Sequence, residues 1–169
     1  MSVIPWRNQA VEQARLLNPA FLGALVMEAA RGYEDESGDA QGLPYALAFV
    51  ALPVVLHKPT RDALPRQIRT SLAAWVVEHP EAQVGFPERS TALVPLVKDA
   101  ILLASRDGLL RLEGTRFKAT GNRRSLDAYS KSCQSLEVQE CLKKALFLGR
   151  WFSRAGEATT VMALWGVRP

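Results

Sequence analysis

The feature that most constrains this chain is a run of fourteen residues, Leu43 to Leu56, that is apolar on every side and holds two prolines, Pro44 and Pro53. A helix that crosses a bilayer needs about 20 consecutive apolar residues, so this run is too short to span one. A helix without a polar face is buried in protein instead. The run therefore predicts a central core helix from Pro44 to about Leu56. Pro53 removes one backbone donor and clashes with the preceding turn, which predicts a kink or a break into two short helices near Val50 to Leu52. The run ends sharply in a polar knot, His57-Lys58-Pro59-Thr60-Arg61-Asp62, and closes at Leu64-Pro65.

A buried helix needs enough chain around it. With 169 residues, 48% hydrophobic and 22% charged, the composition is that of a globular protein with a real core. The expectation is a single compact domain over 1–169. It has an N-terminal helical part (1–65), a helix-helix-hairpin part (66–125), and a C-terminal long helix with an apolar tail (126–169). The start, MSVIPWRNQ, has no basic segment followed by an apolar one, so no secretory signal is expected. Cys133 and Cys141 fall in one expected helix, about 12 Å apart along its axis. Bonded cysteines have Cα atoms within roughly 7 Å, so both are expected to be reduced, as in a cytoplasmic protein. His57 and His79 stand apart from any cysteine and from each other, which predicts no metal and no cofactor. Charge is uneven: residues 1–85 carry 7 Lys/Arg against 9 Asp/Glu, and residues 86–169 carry 14 against 8. The basic half is the candidate surface for nucleic acid or an acidic partner.

Read in order, the chain begins with an apolar tip, Val3 to Trp6, and a short helical pattern from about Gln9 to Leu17. Asn18-Pro19 is a helix start, Asn as the cap and Pro at the first position. The helix runs from Pro19 to about Glu36 on the spacing of Phe21, Leu22, Leu25, Val26, Ala29, Ala30 and Tyr33. A surface loop, Glu34 to Gly42, precedes the core run. Thr60 is read as the cap of a short turn, Arg61 to Leu64. Residues 70–79 form a helix with Leu72, Trp75 and Val76 inward, stopped by Pro80. A long helix follows over 88–107, with Leu93, Leu96, Val97, Ala100, Ile101, Leu103 and Ala104 inward and Pro95 near its start or at a kink. Gly108 is its left-handed stop. Two short alternating strands, Leu109 to Glu113 and Arg116 to Thr120, flank Gly114-Thr115 as a hairpin. After a polar loop, Gly121 to Ser125, one long helix is expected from about Leu126 to Phe152, with Leu136, Leu142, Leu146 and Phe147 buried. The last element is Thr159 to Trp165. The fold class is mainly α with one β-hairpin (α+β). The order helix, helix, hairpin suggests a winged-helix-like core flanked by additional helices.

Three polar groups are candidates for function. His57, Lys58, Thr60, Arg61 and Asp62 form the densest cluster. His57 oriented by Asp62 would make a base, with Lys58 and Arg61 binding an anion. The alternative is a helix end wrapped by its own cap and charges, or a contact for a partner. Arg111, Arg116, Lys118, Arg123 and Arg124 surround the hairpin and the loop after it, as candidates for the DNA backbone. A solvated strand face is the other reading. Arg89, Lys98 and Arg106 are the only cations on the long helix 88–107, too few to support reading of a major groove. Arg150 and Arg154 share a helix face, and Trp151, Trp165 and the Trp6 tip make both chain ends apolar. These are partner contacts or a tail packed on the core.

Several of these stretches together resemble a known family. They are Asn18-Pro19-Ala20-Phe21, then Leu52-Pro53-Val54-Val55-Leu56-His57-Lys58 with Thr60-Arg61 and Leu64-Pro65, then Trp75, Phe86, Arg89, Leu93-Val94-Pro95, the hairpin, and Leu164-Trp165-Gly166-Val167-Arg168-Pro169. The pattern resembles the middle component of bacterial three-component ABC conflict systems, the group that includes the small subunit of Lamassu-type defence. Leu22 departs from the small residue usual at that position. The resemblance covers nearly the whole chain. It implies a non-enzymatic, cytoplasmic adaptor that acts with an SMC- or Rad50-like ABC ATPase and an effector, commonly a nuclease, and that restrains or licenses the effector when foreign DNA is sensed. A free-standing winged-helix DNA-binding regulator is the alternative, and a small enzyme using His57 and Asp62 is the third.

Overall fold

Helix α1 (Pro19–Glu36) starts where its chemistry says it should: the Asn18 Oδ1 accepts the Ala20 N–H at 2.9 Å, with Pro19 in the first turn. The computed structural model describes residues 17–38, 41–132 and 135–168. Every residue of α1 from Phe21 to Ala30 is buried. Its neighbours are a long C-terminal helix, the helix before the hairpin, and the hairpin's second strand. Two glycines let the first of these come close. A Cβ on Gly149 would run into the Ala29 carbonyl, and one on Gly32 into the Leu146 carbonyl, so each helix presents a glycine to the other's backbone.

Strand β1 (Leu43–Pro44) leads into α2 (Tyr45–Leu56), whose residues Leu47, Ala48 and Val50 to Val55 are buried, as the apolar run predicts. The central position is shared with α1. The expected break does not occur: α2 is continuous through Pro53. Pro53 has no N–H to give the Phe49 carbonyl four residues back. The Ser90 hydroxyl, from the facing helix, donates to that carbonyl at 3.0 Å. A buried orphan is thereby satisfied, and Ser90 is itself buried by the same contact.

Helix α3 (Lys58–Ala63) begins before the expected turn, so Thr60 lies inside it, buried, rather than capping it. Helix α4 (Leu72–Glu78) is capped by Ser71, whose Oγ accepts the Ala74 N–H at 3.4 Å. Pro80 ends it and opens a 3₁₀ turn, Pro80–Ala82. Helix α5 (Phe86–Arg106) begins two residues earlier than expected and packs on α1 and α2. Val97, Ala100, Ile101 and Ala104 are buried; Leu93, Leu96 and Leu103 are only half-buried. Pro95 sits inside α5 on its exposed side, where solvent reaches the backbone it disturbs.

Gly108, at φ 72°, ends α5, and Gly114, at φ 60°, makes the turn between β2 (Leu110–Glu113) and β3 (Arg116–Ala119). The hairpin is as the sequence predicts. It carries a third strand: β1 pairs antiparallel with β3, Leu43 opposite Phe117, giving the order β1-β3-β2. Phe117, on the middle strand, is fully buried, and the Glu34 carboxylate accepts the Ala119 N–H at 2.8 Å.

The single long helix expected over 126–152 is two helices, α6 (Arg123–Ser132) and α7 (Leu136–Arg154). Ser135 is the reason for the second start, its Oγ accepting the Val138 N–H at 3.4 Å. Asn122 likewise starts α6, its Oδ1 accepting the Arg124 N–H at 2.9 Å, so Arg123 and Arg124 stand on a helix and not in a loop. Leu136, expected inside, is exposed at the start of α7, Leu142 is buried, and Leu146 and Phe147 are half-buried. Helix α8 (Ala158–Leu164) brings Trp165 back onto the core, where it is fully buried. One contiguous cluster of buried side chains runs from Phe21 to Trp165. The helix expected over 9–17 lies almost wholly outside the described residues, as do Trp6 and Cys133. Among the described residues no helix is long and apolar enough to cross a membrane.

Candidate interaction surfaces

The polar knot is built at the join of α2 and α3, with Thr60 and Arg61 facing inward and Lys58 and Asp62 exposed. The last carbonyls of α2 have no partners in their own helix. Arg61 reaches back to one of them, its Nη1 donating to the Val55 oxygen at 2.7 Å. Its Nη2 donates to the Glu137 carboxylate of α7 at 2.9 Å, and Nη1 lies 3.3 Å from the Cys141 sulfur. Arg61 is 2% exposed. This corrects its place among the surface contacts: it is an internal cation that joins α2, α3 and α7. A cation at a helix C-terminus is also favoured by the helix dipole. Cys141 lies in the same core, and burial pushes its thiol up to about 11.

His57 and Asp62 do not meet as a catalytic pair. The His57 Nδ1 is 2.7 Å from the Thr60 hydroxyl, and Asp62 takes the Lys58 ammonium one helical turn away. Partial burial, then the neighbouring Arg89 and Arg61 guanidiniums, hold the His57 pKa below its usual value. Lys58 and Asp62 are exposed, and the Lys58 hydrogen bond, more than any other influence, keeps the Asp62 carboxyl below the usual range. Of this group, His57 and Lys58 remain at the surface, His57 in part.

The hairpin's charges share one face. Cross-strand partners point the same way from a sheet, and Arg111 lies opposite Lys118 while Glu113 lies opposite Arg116. Arg111 is exposed and pairs with Glu113 at 2.8 Å. Arg116 is half-buried and donates to the Gly42 carbonyl at 2.9 Å, so part of its fork is spent on the fold. Arg123 and Arg124 are exposed on the first turn of α6, a helix that buries none of its residues.

The C-terminal aromatics are interior. Trp151 and Trp165 are 1% and 0% exposed, which removes them from the partner contacts and agrees with the other expected form, a tail packed on the core. They pack around Trp75, with ring centroids 5.5 and 5.8 Å away, and Phe86 stacks 4.8 Å from Trp165. The Trp151 indole N–H donates to the Thr70 carbonyl at 2.7 Å. Arg150 and Arg154 are at the surface and share one acid: Glu36, at the end of α1, accepts from them at 3.3 and 2.8 Å. The bond from Arg154 is the main reason the Glu36 carboxyl lies below its ordinary range.

Two hollows mark this surface. One, of about 330 Å³, lies between the loop before α4, the end of α7, and α8; Arg69, Ser71, Trp151, Arg154 and Thr160 are among its walls. The other, of about 480 Å³, is apolar and lies between α2, α5 and the tail, with Tyr45, Phe49, Val94 and Val167 among its walls. The sequence did not single out Ser90, Glu137 or Arg69. The proline at 53 announces that the Phe49 carbonyl needs a donor, but only the packing of α5 on α2 says that Ser90 supplies it.

A family model described as ABC-three component (ABC-3C) system Middle Component 3 matches residues 6–169, nearly the whole chain. No curated protein and no solved structure matches.

Proposed function

Because the chain belongs to the family of Middle Component 3 of ABC-three component systems, we propose that it is a non-catalytic, cytoplasmic adaptor subunit. It joins an SMC- or Rad50-like ABC ATPase to an effector, a nuclease, and restrains or licenses that effector when foreign DNA is sensed. The family match over 6–169 carries this reading. The inward use of Arg61 supports it. This side chain, which would have bound an anion, closes α2 onto α3 and α7, while His57 meets Thr60 and Asp62 meets Lys58. The likeness to the small subunit of Lamassu-type defence rests on the sequence pattern described above. The three stretches 1–65, 66–125 and 126–169 act as one folding unit in this proposal, since the core cluster draws on all of them.

Co-purification tests it. The tagged chain, expressed with its neighbouring genes, is expected to recover a large coiled-coil ATPase and an effector. Elution alone, as a species that binds DNA, would replace this reading with the winged-helix regulator. One observation favours DNA contact within the complex: Arg111, Arg116 and Lys118 share one face of the hairpin, and Arg123 and Arg124 are exposed at the start of α6. The β1-β3-β2 sheet, bracketed by helices before and after β1 and by α5 before β2, supports a winged-helix-like core.

A further inference from the structure

On the reading of the chain as a subunit of an assembly, we infer that the recess of about 330 Å³ between α4 and α7 is a docking site for an acidic segment of a partner protein, one carboxylate of which enters it. None of the residues lining the recess is acidic, while two are arginines, Arg69 and Arg154. Among the described residues Arg69 forms no ion pair, and its Nη2 donates to the neutral Gln67 oxygen at 3.5 Å. Arg66 adds charge to the same loop. Arg154 is partly engaged, but Glu36 takes only its Nη1, and a guanidinium has five N–H donors. The hydroxyls of Thr70, Ser71 and Thr160 add further donors.

The shape favours a carboxylate on a protein side chain over a nucleic-acid backbone. Phosphates of a duplex run along a convex ridge and are met by a track of cations. Here the cations are set around a hollow that reaches down to Trp151, fixed in place by its bond to Thr70. An arginine fork pairs with a carboxylate through two parallel bonds, which suits an inserted Asp or Glu. The charges of Arg66 and Arg69 beside the recess, with Arg154 across it, would draw such a segment in.

The full chain is titrated with a blocked hexaglutamate peptide while the Trp151 indole N–H resonance is followed by NMR. A saturable shift is expected. Arg69→Glu, an exposed change whose folding is checked by melting, should weaken binding about tenfold or more. Arg111→Glu, on the hairpin, should leave it unchanged. No saturable shift, equal affinity in Arg69→Glu, or a response to a short DNA duplex and not to the peptide would each overturn the proposal. In the co-purified assembly Arg69→Glu should release a partner that the wild-type chain retains. Recovery of no partner by the wild-type chain would strike the adaptor reading alone, and the peptide titration would still decide the recess.

Discussion

Arg61 and Arg123 are both helix cations, yet they do opposite things. Arg61 is 2% exposed, donates to the Val55 carbonyl and to Glu137, and stands where α2, α3 and α7 meet. Arg123 is exposed on α6, which buries none of its residues. The stretch around Arg61 follows the most apolar of the described helices, and Arg61 is drawn inward by a carbonyl that helix leaves unpaired. The stretch around Arg123 follows a hairpin whose outer strand buries only Leu110, and its charges point to solvent. A dense polar cluster is therefore a structural device where the neighbouring backbone has orphans to satisfy, and a candidate surface where it has none.

The comparison breaks first at Arg61. Arg61→Ala should lower the unfolding free energy by about 3 kcal/mol, the range for removing one partner of a buried charge pair. Most of that loss comes from the Val55 carbonyl and the void, since Glu137 is partly exposed and regains water. Glu137→Gln should therefore cost much less. Equal losses in urea melts of the two variants would show that the ion pair, and not the carbonyl bond, holds the joint. Ser90→Ala comes next. It leaves the Phe49 carbonyl buried and unpaired beside Pro53, which costs about 1–2 kcal/mol. Replacing the proline tests the same link: Pro53→Ala restores a backbone N–H at that position, which can serve the Phe49 carbonyl, so Ser90→Ala should then be nearly neutral. A double-mutant cycle with no coupling would sink that account.

How much of this was legible follows the same division. The α1 cap at Asn18-Pro19, the buried α2, the hairpin and the glycine at 108 are local features, and each is written in adjacent residues. The two-helix form of residues 123–154 was not legible from periodicity: the Leu136 position reads as a continuation of an apolar stripe, and only the Ser135 cap marks the restart. Strand β1 is two residues long, below any alternation pattern, and exists because β3 offers it an edge. For the knot, the residue types gave the right alternatives, base or helix closure. The choice turned on distances from His57 to Thr60 and from Lys58 to Asp62 that sequence spacing leaves open. The Trp151 and Trp165 positions show the limit plainly, since an apolar chain end reads alike whether it meets a partner or its own core.

A smaller effect is expected on the outward side. Arg123→Glu with Arg124→Glu should leave the melting temperature nearly unchanged and lower the salt slope of DNA binding by the assembled complex by up to about 2. These two residues are the cleaner choice because reversing Arg116 also removes its bond to the Gly42 carbonyl. An unchanged slope would remove α6 from the DNA surface, and a large drop in stability would place Arg123 and Arg124 with Arg61 as structural cations.

The smallest effect is a titration. His57 is held below its ordinary value of 6.5 by burial first, then by Arg89 and Arg61. Between its folded pKa and 6.5 the unfolded chain binds more protons, so His57 lets stability rise with pH through that window and fall as pH drops below 6.5. His57→Gln should flatten this part of the stability curve. Asp62→Asn should leave the His57 NMR titration where it is, because Asp62 faces Lys58, whereas Arg89→Gln should move it upward by removing a nearby positive charge. A downward shift in Asp62→Asn would mean that the carboxylate does act on the imidazole, and the knot would then return to the reading in which the two form a base.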